Sequence, residues 1–157
     1  MKMKKILLIG LAVIMIFAVF ACGDKEDNQI VIPDDIDMDL IMRVGNAFNE
    51  ILKALNDKNY EKYVSYYNVP EADKNLMLEG LKNSNSEFTW HYTVYNVWAM
   101  ENEDGTITAT VVIDNKSTSK ENNTVKIMRE TNYYLLSESS GYFYIEAFEN
   151  GMMEYID

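Results

Sequence analysis

Between Leu40 and Leu55 apolar residues return every three or four positions, at Leu40, Ile41, Val44, Phe48, Ile51, Leu52 and Leu55, while Arg43, Asn46, Asn49, Glu50 and Lys53 take the places between. At 3.6 residues per turn this spacing predicts a helix of about five turns with one apolar stripe. Such a helix draws most of its stability from the surface it lies on, so the rest of the chain must supply one. The polar break Asn56-Asp57-Lys58-Asn59 ends the stripe. Tyr60, Tyr63, Val64 and Tyr67 then restart it in a second, tyrosine-bearing helix capped by Asn59 or Asp57. Pro70 suits the first turn of a third helix, Glu71 to about Asn83, with Leu76, Met77 and Leu81 as its expected buried side and Gly80 allowing a close neighbour. Asp34, Asp35, Asp37 and Asp39 precede the first helix. They are expected to cap it rather than bind calcium, because the alternating ligands and central glycine of a calcium loop are missing.

From Phe88 the period changes to two. Phe88, Trp90, Tyr92 and Val94 alternate with Glu87, Thr89, His91 and Thr93, the pattern of a strand with one apolar face. The phase slips near Tyr95 and Asn96, which predicts a bulge that bends the strand. Asn102 to Gly105 reads as a turn into a strand with Ile107, Ala109, Val111 and Ile113 on one face. Asp114 to Asn123 is polar throughout and is expected to be a solvated loop. Thr124 to Ser137 forms the next strand, Ser139-Ser140-Gly141 a turn, Tyr142 to Phe148 the last strand, and 150–157 an acidic tail.

The first 21 residues read as a secretory leader, with cationic Met1 to Lys5 followed by the apolar run Ile6 to Phe20. Val19-Phe20-Ala21-Cys22 resembles a bacterial lipobox, and Cys22 is the sole cysteine of the chain. The resemblance implies that Cys22 is lipidated, with residues 22–36 as a tether and the remainder held outside the cytoplasm at a membrane. The chain has net charge −11, and its leader holds lysines but no acid, so the part beyond it is still more acidic. Such a surface repels phosphate backbones and argues against nucleic-acid binding.

The order of elements, carried by FNEILKALNDKNYEKYVSYY and by NYYLLSESSGYFYIEAF, resembles the superfamily of nuclear transport factor, ketosteroid isomerase and SnoaL-like proteins. The resemblance implies an α+β cone over 37–149, with N-terminal helices packed in the concave face of a curved antiparallel sheet of about four strands. It implies little chemistry, because enzymes of that kind carry a carboxylate base, or a His-Asp dyad, inside the cone. The inward positions expected here are Phe88, Trp90, Tyr92, Val94, Ile107, Ala109, Val111 and Ile113, none of them an acid.

No catalytic residue, metal set or cofactor motif follows from the sequence. His91 is the single histidine and alternates away from the Trp90 face. Glu146 is the one acid within an aromatic strand and is expected to face water. The aromatics Tyr63, Tyr67, Trp90, Tyr92, Trp98, Tyr133 and Tyr144 would line a cone that is not filled by its own side chains. The expected function is therefore non-catalytic binding of a small apolar ligand, an envelope polymer or a protein partner. The alternative is a SnoaL-like lyase or isomerase with Glu146 or His91 as base. A homodimer through the outer sheet face near Thr89, His91 and Thr93 is a further expectation.

Overall fold

The structure, a computed structural model, describes residues 36–83 and 87–156. The leader, Cys22, Asp34 and Asp35 lie outside them, with all of the expected tether except Ile36. Helix α1 spans Met38–Asn56, α2 Tyr60–Ser65 and α3 Glu71–Asn83. Four strands follow: β1 Phe88–Glu101, β2 Ile107–Ser119, β3 Val125–Ser139 and β4 Tyr142–Ile156. They form one antiparallel meander in the order β1-β2-β3-β4.

Helix α1 begins where Asp37 accepts a hydrogen bond from the Leu40 amide at 2.9 Å, the N-cap role its position suggests. Its apolar stripe is buried at Leu40, Val44, Phe48, Ile51 and Leu52. This stripe meets Ala99, Ile107, Ala109, Val111, Ile113, Leu136, Phe143 and Ile145, which share the concave face of the sheet. Each large side chain removed from water here stabilises the fold by about 1.5–3 kcal/mol. The far end of α1 is pinned to the edge strand, since the Asn56 amide donates to the Tyr92 carbonyl at 2.8 Å and accepts from the Tyr92 amide at 2.9 Å. Asn56 thus satisfies part of an exposed strand edge that would otherwise offer unpaired groups.

Asn59 caps α2 through the Lys62 amide. The chain leaving α2 then pairs with β4: the Asn68 amide donates to the Ile145 carbonyl at 2.8 Å, and the Ile145 amide donates to the Tyr66 carbonyl at 2.7 Å. These bonds fix Tyr63, Val64 and Tyr67 over the sheet.

Three sequence expectations are corrected. Helix α3 buries none of its residues; Leu76 is 66% exposed and nothing lies within 4 Å of a side chain placed at Gly80. It leans on α2, tied by Lys82 to Glu61 at 2.6 Å, and of the three residues expected to be buried Met77 packs, half-buried, against the core while Leu76 faces water. Asp114 to Ser119 is strand, not loop, because its polar side chains find partners across the ladder; Arg129 reaches Asp114 with two nitrogens at 2.7 and 2.9 Å. The segment 150–156 is likewise strand, paired with Ile127 to Asn132 of β3. The predicted bulge is present, with the β1–β2 register shifting between Val94 and Asn96. It turns the extra residue, Tyr95, outward under the Arg129 guanidinium, 3.3 Å from the ring centre.

Candidate functional site: the open half of the concave face

The concave face has two halves. Under the helices it is filled by the chain itself. Phe48, 1% exposed, meets the Tyr134 ring at 4.6 Å between centres, Tyr134 stacks on Phe148 at 6.2 Å, and Tyr67 meets Phe148 edge-on at 6.3 Å. The Tyr63 and Tyr67 hydroxyls share a hydrogen bond of 2.7 Å. Burial pushes all these phenols up: Tyr63, Tyr67 and Tyr134 rise above the ordinary tyrosine value, and Tyr92 is pushed up to about 12. Burial is the main cause at Tyr92, and the nearby Glu130 charge adds to it. The four phenols therefore stay protonated at neutral pH.

Beyond the helices β1 to β4 continue, and the face opens into a trough of about 170 Å³. Phe88 and Trp90 of β1 form one wall, with ring centres 5.9 Å apart, and Tyr155 of β4 stands opposite. Met128 and Lys126 come from β3, and Asn115 and Ser117 from β2 make the floor. Asn115 is 5% exposed. Its Nδ2 donates to Glu130 Oε1 at 3.0 Å, while its Oδ1 is buried and has no hydrogen-bond partner among the described residues. A buried acceptor left without a donor costs about 1–3 kcal/mol, so Asn115 is a place where a ligand donor would be stabilising. Asn132, also buried, shares this face with Glu130.

Glu130 corrects the expectation of an acid-free interior. It pairs with Ile113 across the ladder and shares that residue's inward face. Sequence reasoning passed over Asn115 because polarity alone suggested loop from Asp114 to Asn123, and passed over Glu130, which lies in the strand read over Thr124 to Ser137, because its parity was not followed. Parity was the available signal: Asn115 and Ser117 continue the inward series of Val111 and Ile113, and Glu130 continues that of Tyr134.

The expected ligand-lining aromatics are divided between the two faces. Tyr63, Tyr67, Trp90 and Tyr92 lie on the concave side, the first two within the filled half and Trp90, 43% exposed, in the trough. Trp98, Tyr133 and Tyr144 lie on the outer face; Trp98 is 50% exposed. The bulge at Tyr95 reverses parity along β1, which carries Val97 and Ala99 inward and Trp98 outward. Tyr133 and Tyr144 alternate with the inward residues Tyr134 and Ile145.

His91 is exposed in a groove of about 320 Å³ between the end of α1 and the edge of β1, beside an Asp57 already paired with Lys53. Glu146 does not enter the cone. It accepts from Asn68 Nδ2 at 2.8 and 3.0 Å and from the Ser137 hydroxyl, at a second register shift where β4 bends. Its carboxylate is a strut between the α2–α3 loop and the sheet.

Three helices against a curved four-stranded antiparallel sheet make this the cone-shaped α+β fold of nuclear-transport-factor-like proteins. Among solved structures the chain is similar to Aln2 from a Streptomyces species, with a TM-score of 0.59 and 11% identity over 75% of this chain and 91% of that one. It is also similar to ActVI-ORFA from Streptomyces coelicolor, with a TM-score of 0.61 and 11% identity over 74% and 95% of the two chains. A protein from Catenulispora acidiphila gives 0.57 and 12% over 74% and 91%. These are SnoaL-like folds, and at such identities the likeness establishes architecture alone. No family model matches the chain, and no curated protein matches it by sequence.

Proposed function

We propose that the chain is an extracytoplasmic lipoprotein, anchored through Cys22, whose cone serves as a non-catalytic binding module for a small ligand with an apolar body. The observation that carries the reading is the trough, where aromatic walls surround a buried Asn115 acceptor that has no partner among the described residues. The filled half of the cone supports it by leaving the open half as the place for a guest. In native mass spectrometry, the full chain purified from membranes is expected to retain a small molecule that Asn115→Leu releases. A native preparation that is ligand-free contradicts the reading. For the anchor, Cys22→Ala is expected to move the chain from the membrane fraction to the soluble one; retention in the membrane would make the leader itself the anchor.

One observation favours a second reading, a SnoaL-like lyase or isomerase. Glu130 lies near Tyr92 and Tyr134, phenols held protonated by burial, so a carboxylate base and hydrogen-bond donors share one face. The base in that reading is Glu130, since Glu146 and His91 stand outside the cone. Turnover abolished by Glu130→Gln while ligand stays bound would select the enzyme.

A further inference from the structure

The helices cover the concave side of the sheet and leave the outer face open, with Trp98 50%, Met100 51% and Tyr133 36% exposed. The register sets the outer side chains in rows. Met100, Thr108, Leu135 and Ala147 form one row across the four strands, and Trp98, Thr110, Tyr133 and Glu149 form the next. A third row, through Asn96, Val112 and Thr131, follows on β1 to β3. Glu149 is the one charged side chain in these rows, and it stands exposed on the edge strand β4. In a chain that is 25% charged with net charge −11, a block so free of charge has the composition of an interface core.

Side-chain length alternates across the block. Trp98 and Met100 on β1 and Tyr133 and Leu135 on β3 are long, whereas Thr108 and Thr110 on β2 and Ala147 on β4 are short. A two-fold axis parallel to the strands, midway between β2 and β3, sets β1 of one copy against β4 of the other and β2 against β3. Long then faces short at every strand, so the face is complementary to itself under an operation that closes. Strands about 4.8 Å apart and rows about 6.8 Å apart give the three rows about 400 Å². Tyr144 extends the face at one end, and Tyr95 with the Asp114–Arg129 pair extends it at the other. The whole face then covers roughly 600 Å² per copy, so a pair buries about 1,200 Å², the lower end of what a specific interface needs. Two acidic copies repel, and an uncharged contact with Asp114 already neutralised by Arg129 keeps that repulsion at a distance.

We propose that the outer sheet face is the interface of a homodimer, centred on Thr110 and Tyr133, with Trp98 and Met100 of each copy seated over the short side chains of the other's β4. The pairing expected near Thr89, His91 and Thr93 is thereby displaced along β1, because the bulge at Tyr95 turns Trp98 outward.

Cross-linking at single cysteines tests the face. The full chain carrying Cys22→Ala, in neutral detergent, receives either Thr110→Cys, beside the two-fold axis, or Asn75→Cys, exposed on α3, and is treated with a short bis-maleimide. Thr110→Cys is expected to form a covalent dimer about tenfold faster than Asn75→Cys, because pairing holds its two thiols at high effective concentration. Trp98→Glu, a change at an exposed position, is expected to bring the Thr110→Cys rate down to that of Asn75→Cys with the melting temperature unchanged. Added salt is expected to raise the Thr110→Cys rate, since screening weakens the repulsion between acidic copies. Equal rates at the two positions overturn the proposal, and a rate untouched by Trp98→Glu overturns this face. A rate that falls in salt would mean that ionic contacts hold the pair, which contradicts an uncharged interface. In a cell lysate, a Thr110→Cys adduct with the mass of a different protein in place of the dimer overturns the second copy as the occupant. Should Trp98→Glu fail to fold, Met100→Lys, also exposed, carries the same test.

Discussion

The buried phenols set a measurable limit on the alkaline side. Tyr92 is pushed up to about 12 by burial and by Glu130, whereas an unfolded tyrosine titrates near about 10. A folded value above the unfolded one means that the native state keeps its proton while the denatured state gives it up. The stabilisation is full below about pH 10 and is lost as pH rises towards 12. Melting temperatures followed across that window are expected to fall, and Tyr92→Phe is expected to flatten the fall; an unchanged alkaline limb would show that Tyr92 is not buried. Phe48 gives the second prediction at this scale. It is 1% exposed beneath Tyr134, so Phe48→Ala is expected to cost about 3–5 kcal/mol in denaturant unfolding. A loss under about 1 kcal/mol would mean that α1 is rotated. Phe48 was legible in the sequence because the helical period alone assigns it to the core. Asn115 was not, because it lies in the polar stretch Asp114 to Asn123 that reads as loop. Glu130 lies in the strand read over Thr124 to Ser137, where parity with Tyr134 was the signal for its inward face, and the register across β2 and β3 places both.

Among the elements, those with a strong period were readable and those held by partners elsewhere were not. Helix α1 and the bulge of β1 follow from spacing and a parity slip. The extension of β4 to Ile156 depends on pairing with β3, which no local pattern announces. Two glycines test these placements in opposite directions. Gly151 lies where the β3–β4 register shifts, and a Cβ there would sit 2.6 Å from the Thr131 carbonyl oxygen and 2.7 Å from the Tyr133 ring. Backbone cannot yield as a flexible side chain can, so Gly151→Ala is expected to destabilise by about 1–3 kcal/mol. At Gly80 of α3 a methyl meets nothing within 4 Å, and Gly80→Ala is expected to stabilise by about 0.5–1 kcal/mol through helix propensity. Equilibrium unfolding of both variants checks the pair. A neutral Gly151→Ala would place the end of β4 away from β3, and a destabilised Gly80→Ala would place a neighbour against α3.

Across the domain of residues 36–156, and among the described residues, the cone is closed by its own aromatics at one end and open at the other. The helices reach only part of the long strands, which leaves Phe88, Trp90, Asn115, Met128 and Tyr155 beyond them. The most direct test is the rate of thiol labelling at single cysteines placed along β2 in a Cys22→Ala background. Ser117→Cys, on the trough floor, is expected to react nearly as fast as the unfolded chain, and Ala109→Cys, fully buried under α1, to react orders of magnitude more slowly. Equal protection at the two positions would show that the trough is filled and would contradict an open cone.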